Sequence, residues 1–109
     1  MLDAPFTLRL AHALRDAAGD GVEVWLFGSR ARGEHRPDSD YDLMAVVPDD
    51  ADLQVVDARL QAAAHRVAAR MAADVTVVAV SRRAFFWPLA DLHPASVTYA
   101  CRTEGRRIV

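Results

Sequence analysis

Phe27-Gly28-Ser29-Arg30-Ala31-Arg32-Gly33 opens the most informative stretch of the sequence, and ten residues after the Gly28-Ser29 pair it continues as Asp40-Tyr41-Asp42-Leu43. The run before it, Val22 to Phe27, is short, apolar and bounded by glycines, which predicts a buried strand. A strand that ends in Gly-Ser and turns into Arg-Ala-Arg-Gly gathers backbone N–H groups, a hydroxyl and two guanidiniums around one turn. Those are the parts of a phosphate cradle, because glycine lets an anion approach the backbone and a following helical turn points N–H donors at it. Judged without its neighbours, the same Gly-Ser is also an ordinary turn.

Asp40 and Asp42 stand two apart at the head of a predicted strand, Asp40 to Val47, so both side chains leave one face while Tyr41 points to the other. Two negative charges about 4 Å apart repel by roughly 4 kcal/mol at an effective dielectric near 20. A fold that brings them together needs protons or cations there, and a hard divalent ion such as Mg2+ suits carboxylate oxygens. The alternative is a solvated strand entrance. Asp74 is a third carboxylate, at the start of the next β-prone run, Asp74 to Val80. If that strand lies beside the Asp40–Val47 strand, Asp74 comes close to Asp40 and Asp42.

The rest of the chain frames these strands. Leu10, Ala11, Leu14 and Ala17 or Ala18 recur at helical steps, which predicts a helix over 7–18 stopped by Gly19. Leu53, Val56, Leu60, Ala63 or Ala64, Val67 and Met71 predict an amphipathic helix from Asp52 to Ala72, capped by Asp50 or Asp52. After the third strand come Arg82, Arg83 and Phe85-Phe86-Trp87-Pro88, then a short helix opened by Pro94 and reaching about Arg102, and a last strand over 106–109. Strands interleaved with helices predict an α/β (α+β) domain, a small mixed sheet of three or four strands with helices packed on one face and the other face open for a site.

Length and charge narrow the function classes. At 109 residues the chain is expected to form one domain, 1–109, with a purely apolar core. Thirteen basic residues, all arginine, against fifteen acidic ones leave a formal charge of −2, so the positive field of a non-specific nucleic-acid binder is missing. One cysteine, Cys101, and no secretory leader point to a soluble protein of the reducing cytoplasm. No apolar run approaches the roughly 20 residues of a membrane span.

The combined motif is more specific than its parts. Gly28-Ser29, ten residues, then Asp40-Tyr41-Asp42 resembles the signature of the DNA polymerase β-like nucleotidyltransferase superfamily. Phe27 to Gly33, with Ser39-Asp40-Tyr41-Asp42-Leu43, is similar to the minimal nucleotidyltransferase (MNT) family, a single palm domain of about this length. The resemblance implies that Gly28 and Ser29 bind the nucleotide triphosphate and that Asp40 and Asp42 ligate Mg2+. It implies that Asp74 completes the site as metal ligand or base, with Arg30 and Arg32 steadying phosphates unless they form a solvated helix face. It further implies ATP as substrate and an acceptor presented by a companion, since the palm uses the residues available. Members of this family often act as antitoxins paired with a small helical HEPN-type RNase toxin, which they neutralise by transferring AMP to a tyrosine, and the resemblance implies such a companion here.

Two alternatives stand beside that reading: an antitoxin or scaffold that masks its partner by contact alone, and a transferase subunit acting on a small molecule of the aminoglycoside type. Phe85, Phe86 and Trp87 are expected chiefly to close the core, with a partner contact as the alternative. Trp25 is expected to pack in the first strand, Cys101 to be a plain helix residue, and His35 to be a surface residue of the site loop.

Overall fold

The computed structural model describes residues 4–34, 36, 40–71 and 73–109. Helix α1 (Ala4–Ala18) leads into β1 (Glu23–Phe27), a four-residue helix α2 (Ser29–Arg32) and β2 (Tyr41–Val47). Helix α3 (Leu53–Met71) then crosses to β3 (Val75–Ser81), followed by α4 (Arg82–Phe85), a 3-10 turn over Leu89–Asp91, α5 (Val97–Glu104) and the two-residue β4 (Arg106–Arg107). The sheet order is β3-β2-β1-β4. β1 runs antiparallel to β2 and to β4, whereas β2 and β3 are parallel and joined by α3. This is the small mixed α/β sheet that the interleaved pattern predicts.

Each side of the sheet has its own apolar cluster, because successive strand residues alternate between faces. Val24, Leu26, Leu43, Ala45, Val47 and Val77 meet Leu10, Ala11 and Leu14 of α1 and Val56, Leu60 and Ala63 of α3. Leu10, Leu14, Leu43 and Leu60 are fully buried, each contributing roughly 1.5–3 kcal/mol relative to exposure. Asp52 starts α3 by accepting the N–H groups of Gln54 and Val55 on Oδ1, at 3.1 and 3.3 Å.

The opposite face is narrower and not wholly open. Met44 and Val46 are covered there by Phe85 of α4 and Cys101 of α5, with Trp25, Phe27, Val78 and Val80 around them. Phe85 is completely buried and its ring lies 5.0 Å from that of Trp25, while Phe86 and Trp87 remain about half exposed. Arg102 ties α5 to this corner by donating from Nη1 to the carbonyls of Phe85 and Trp87, at 3.0 and 2.6 Å. The sequence pattern places the start of the last helix at Pro94, but its cap is Ser96, whose Oγ accepts the Tyr99 N–H at 3.1 Å. β2 and β3 begin at one end of the sheet, the end at which β1 finishes, and α4 and the aromatic corner follow the other end.

Candidate active site

β1 ends at Phe27 opposite Asp42 of β2, so the Gly28-Ser29 turn meets the head of the carboxylate strand. Gly28 has φ 75° and ψ −158°, a region that essentially only glycine enters. A Cβ built on Gly28 would lie 2.3 Å from Oδ2 of Asp42 and 3.2 Å from its Cγ. The glycine backbone and the Asp42 carboxylate are therefore in direct contact, and no side chain fits between them. α2 follows at once, with the N–H groups of Ala31 and Arg32 donating to the Gly28 carbonyl at 3.1 and 3.2 Å. Gly33 closes the turn in the left-handed conformation.

Asp40 is exposed and Asp42 half-buried on the face opposite Tyr41. Burial, and next the negative charge of Asp40, raise the Asp42 carboxyl above its ordinary value, while the Arg32 guanidinium partly offsets them. The electrostatics thus join Asp40, Asp42 and Arg32 into one neighbourhood. In the parallel register Tyr41 stands beside Val75 and Asp42 beside Thr76, so Asp74 falls beside Asp40. The Asp74 carbonyl accepts the Tyr41 N–H at 2.9 Å, which fixes that alignment, and its carboxylate is exposed. Among the described residues, no three Asp, Glu, His or Cys side chains already converge tightly enough to hold a metal ion.

The two arginines of α2 part company. Arg32 is exposed and donates to Glu34 Oε1 at 2.7 Å and to Glu104 Oε2 at 2.8 Å, so α2 is linked to the end of α5. Those hydrogen bonds, with Glu104 first, raise its already high pKa. Arg30 is only 6% exposed, and its guanidinium carbon lies 3.8 Å from the centroid of the Tyr41 ring, itself packed edge-on against Phe6. Tyr41 and Asp42 leave opposite faces of β2, so Arg30 is turned toward the α1 side and away from the carboxylates. Glu104 is the neighbour that sequence reasoning missed, because its approach depends on how α5 returns across the sheet, 72 residues from Arg32. His35 and Ser39 lie outside the described residues.

Comparison with known proteins fits this geometry. A family model described as a nucleotidyltransferase domain matches residues 9–92, a span holding Gly28, Ser29, Asp40, Asp42 and Asp74. The chain belongs to the nucleotidyltransferase domain family. Among solved structures, this nucleotidyltransferase domain is similar to a toxin–antitoxin complex with AMP-PNP, at 18% identity and TM-score 0.62, over 94% of this chain and 72% of that one. It is similar to an MntA–HpeT toxin–antitoxin complex carrying two Asp-to-Glu substitutions, at 20% identity and TM-score 0.61, over 93% and 70% of the two chains. A complex of tri-AMPylated Shewanella oneidensis HEPN toxin with MNT antitoxin aligns at 16% identity and TM-score 0.54, over 96% and 71%. At these identities the likeness is one of fold. No curated protein matches the sequence. No helix among the described residues is long and apolar enough to cross a membrane.

Proposed function

We propose that this nucleotidyltransferase domain is an MNT-type antitoxin that transfers AMP from ATP to a hydroxyl, a tyrosine by family resemblance, of a small helical HEPN-type toxin. The observation that carries the reading is the contact of Gly28 with the Asp42 carboxylate, which makes the Gly-Ser turn and the Asp pair a single site. The structural neighbours support the choice of substrate and partner, since one complex contains AMP-PNP and another an AMPylated HEPN toxin.

Asp40 and Asp42 offer hard oxygen donors on one strand face, and Asp42, whose carboxyl is raised by burial and then by the Asp40 charge, sits where a divalent cation would relieve that cost. Asp40 and Asp42, joined by Asp74 once a ligand draws it in, would hold Mg2+; the ion when bound neutralises charge on the phosphates of ATP. Gly28 and Ser29 receive the triphosphate where the backbone is bare. Arg32 stands close enough to Asp42 to exchange its Glu34 and Glu104 partners for phosphate oxygens, whereas Arg30 acts through packing, by holding Tyr41 and hence β2 in place. The acceptor oxygen attacks the α-phosphorus, the bond to pyrophosphate breaks, and the hydroxyl proton passes to Asp74. The domain's home would be the cytoplasm, with its toxin.

The test is neutralisation of the toxin's RNase activity in the presence of ATP and Mg2+. Wild type should abolish that activity, and the Asp40→Asn, Asp42→Asn double variant should leave it intact while still folding. Equal neutralisation by both proteins would show that contact alone suffices.

A further inference from the structure

The two edges of the sheet are defended very differently. β4 is two residues long and both are arginine, a short charged edge of the kind that resists pairing. β3, at the other edge, is the seven-residue run Val-Thr-Val-Val-Ala-Val-Ser, without charge, proline or interruption. Backbone direction alternates along a strand, and the Asp74 carbonyl faces β2, so Val75, Val77 and Ala79 turn their N–H and C=O groups outward. Among the described residues, the one side chain bonded to this edge is Gln61 of α3, whose Nε2 donates to the Val77 carbonyl at 2.8 Å. Among the described residues, the remaining outward groups of those three positions have no partner.

Beside this edge, α3 carries a charge pattern that is complementary to its own reverse. Asp57 lines the hollow next to Val77 and Ala79, and His65 and Arg66 line the hollow next to Asp74 and Val75, with Gln61 common to both. Asp57 and His65 each lie four residues from Gln61, about 6 Å along the helix on either side. We propose that β3 is the docking edge for a second copy of this chain, paired antiparallel about a two-fold axis through Val77. That axis sets Val77 opposite its counterpart and Val75 opposite Ala79, and joins the two sheets into one of eight strands; Val77 is only 4% exposed, so the Gln61 side chain must swing off its carbonyl and yield that acceptor to the partner strand. It also brings Asp57 of each copy to His65 and Arg66 of the other, so the same attractive contact forms twice, as an isologous interface requires. Because the strands are antiparallel, the two carboxylate sites lie at opposite ends of the joint sheet and both stay open.

Sedimentation velocity on the whole chain across the micromolar range tests this, with amide hydrogen exchange as a second readout. Wild type should sediment at twice the chain mass, and the N–H groups of Val77 and Ala79 should gain protection as concentration rises. Asp57→Arg sets like charges against each other and should weaken the dimer roughly tenfold, a change of about 1.4 kcal/mol. Asp57→Arg combined with Arg66→Asp should recover it. A wild type that stays monomeric, or a dimer indifferent to both changes, overturns the proposal. A monomer whose Val75 and Ala79 amides become protected only when a partner protein is added overturns it in favour of a strand from that partner.

Discussion

Replacing Gly28 by alanine puts the site's construction to its most local test. The residue sits at φ 75° and ψ −158°, where holding an L side chain costs roughly 1–3 kcal/mol. The new methyl would also start 2.3 Å from Asp42 Oδ2, so the carboxylate must withdraw by about 1 Å to restore ordinary contact. Strain of that size lowers the melting temperature of a domain this small by roughly 5–20 °C. A misplacement of about 1 Å in a reacting constellation can cost on the order of a hundredfold in rate. Gly33→Ala is the matched control, because Gly33 has nearly the same φ, 74°, but among the described residues nothing lies within 4 Å of an added Cβ. It should lose only about 1–2 kcal/mol of stability and keep its transfer rate. Thermal melts with AMP-transfer rates on both variants decide the matter. A Gly28→Ala protein as active as Gly33→Ala would refute the idea that bare backbone at residue 28 is what places the Asp42 carboxylate.

Three further outcomes follow from the packing and charge. Asp42 binds its proton more tightly in the folded chain than in the unfolded one, owing to burial and then Asp40. The stability it contributes is therefore full below its unfolded pKa and is lost as pH rises through the raised value. Asp42→Asn should raise the melting temperature by a few degrees near neutral pH and flatten its pH dependence above pH 4; an unchanged profile would contradict the assignment. Phe85→Ala removes a fully buried ring from the second apolar cluster and should cost about 3–5 kcal/mol in denaturant unfolding, whereas Phe86→Ala, half exposed, should cost far less. Equal losses would mean that the aromatic corner is packed otherwise. Cys101 is buried, which pushes its thiol up to about 12. It should react with a disulfide reagent only as fast as the protein opens, and rapid labelling of the folded chain at pH 8 would contradict that burial.

Much of the frame is legible in the sequence for reasons that are local. β2 and β3 are apolar, β-branched runs with polar stops, and α3 announces itself by its helical spacing and by Asp52, which caps it as a free peptide would. Single-sequence logic falters where tertiary contacts choose among equivalent options. α1 begins at Ala4 rather than at residue 7, since Pro5 is tolerated in a first turn. Pro94 and Ser96 both suit a helix start, and the structure uses Ser96. Phe85, Phe86 and Trp87 are alike in composition, and only the placement of α4 over Met44 and Trp25 selects Phe85 for the core.

The site shows the same division. The ten-residue interval from Ser29 to Asp40 is a property of the sequence, and so is the shared face of Asp40 and Asp42. The position of Asp74 beside Asp40 needs the β2–β3 register, which the sequence leaves conditional. Arg30 and Arg32 are indistinguishable as letters two apart in one turn. Tyr41, presented by β2 on the face away from Asp42, draws Arg30 inward and leaves Arg32 with the carboxylates. No spacing rule encodes that choice, because the partner that decides it lies across the turn.

The measurement that bears most directly on the central claim is the intact mass of the co-purified or co-incubated partner after exposure to ATP and Mg2+. Wild type should add one or more AMP units to it, and the Asp40→Asn, Asp42→Asn double variant should add none. A partner that stays unmodified, yet is bound and neutralised equally by both proteins, would contradict catalysis at the Asp40–Asp42 site.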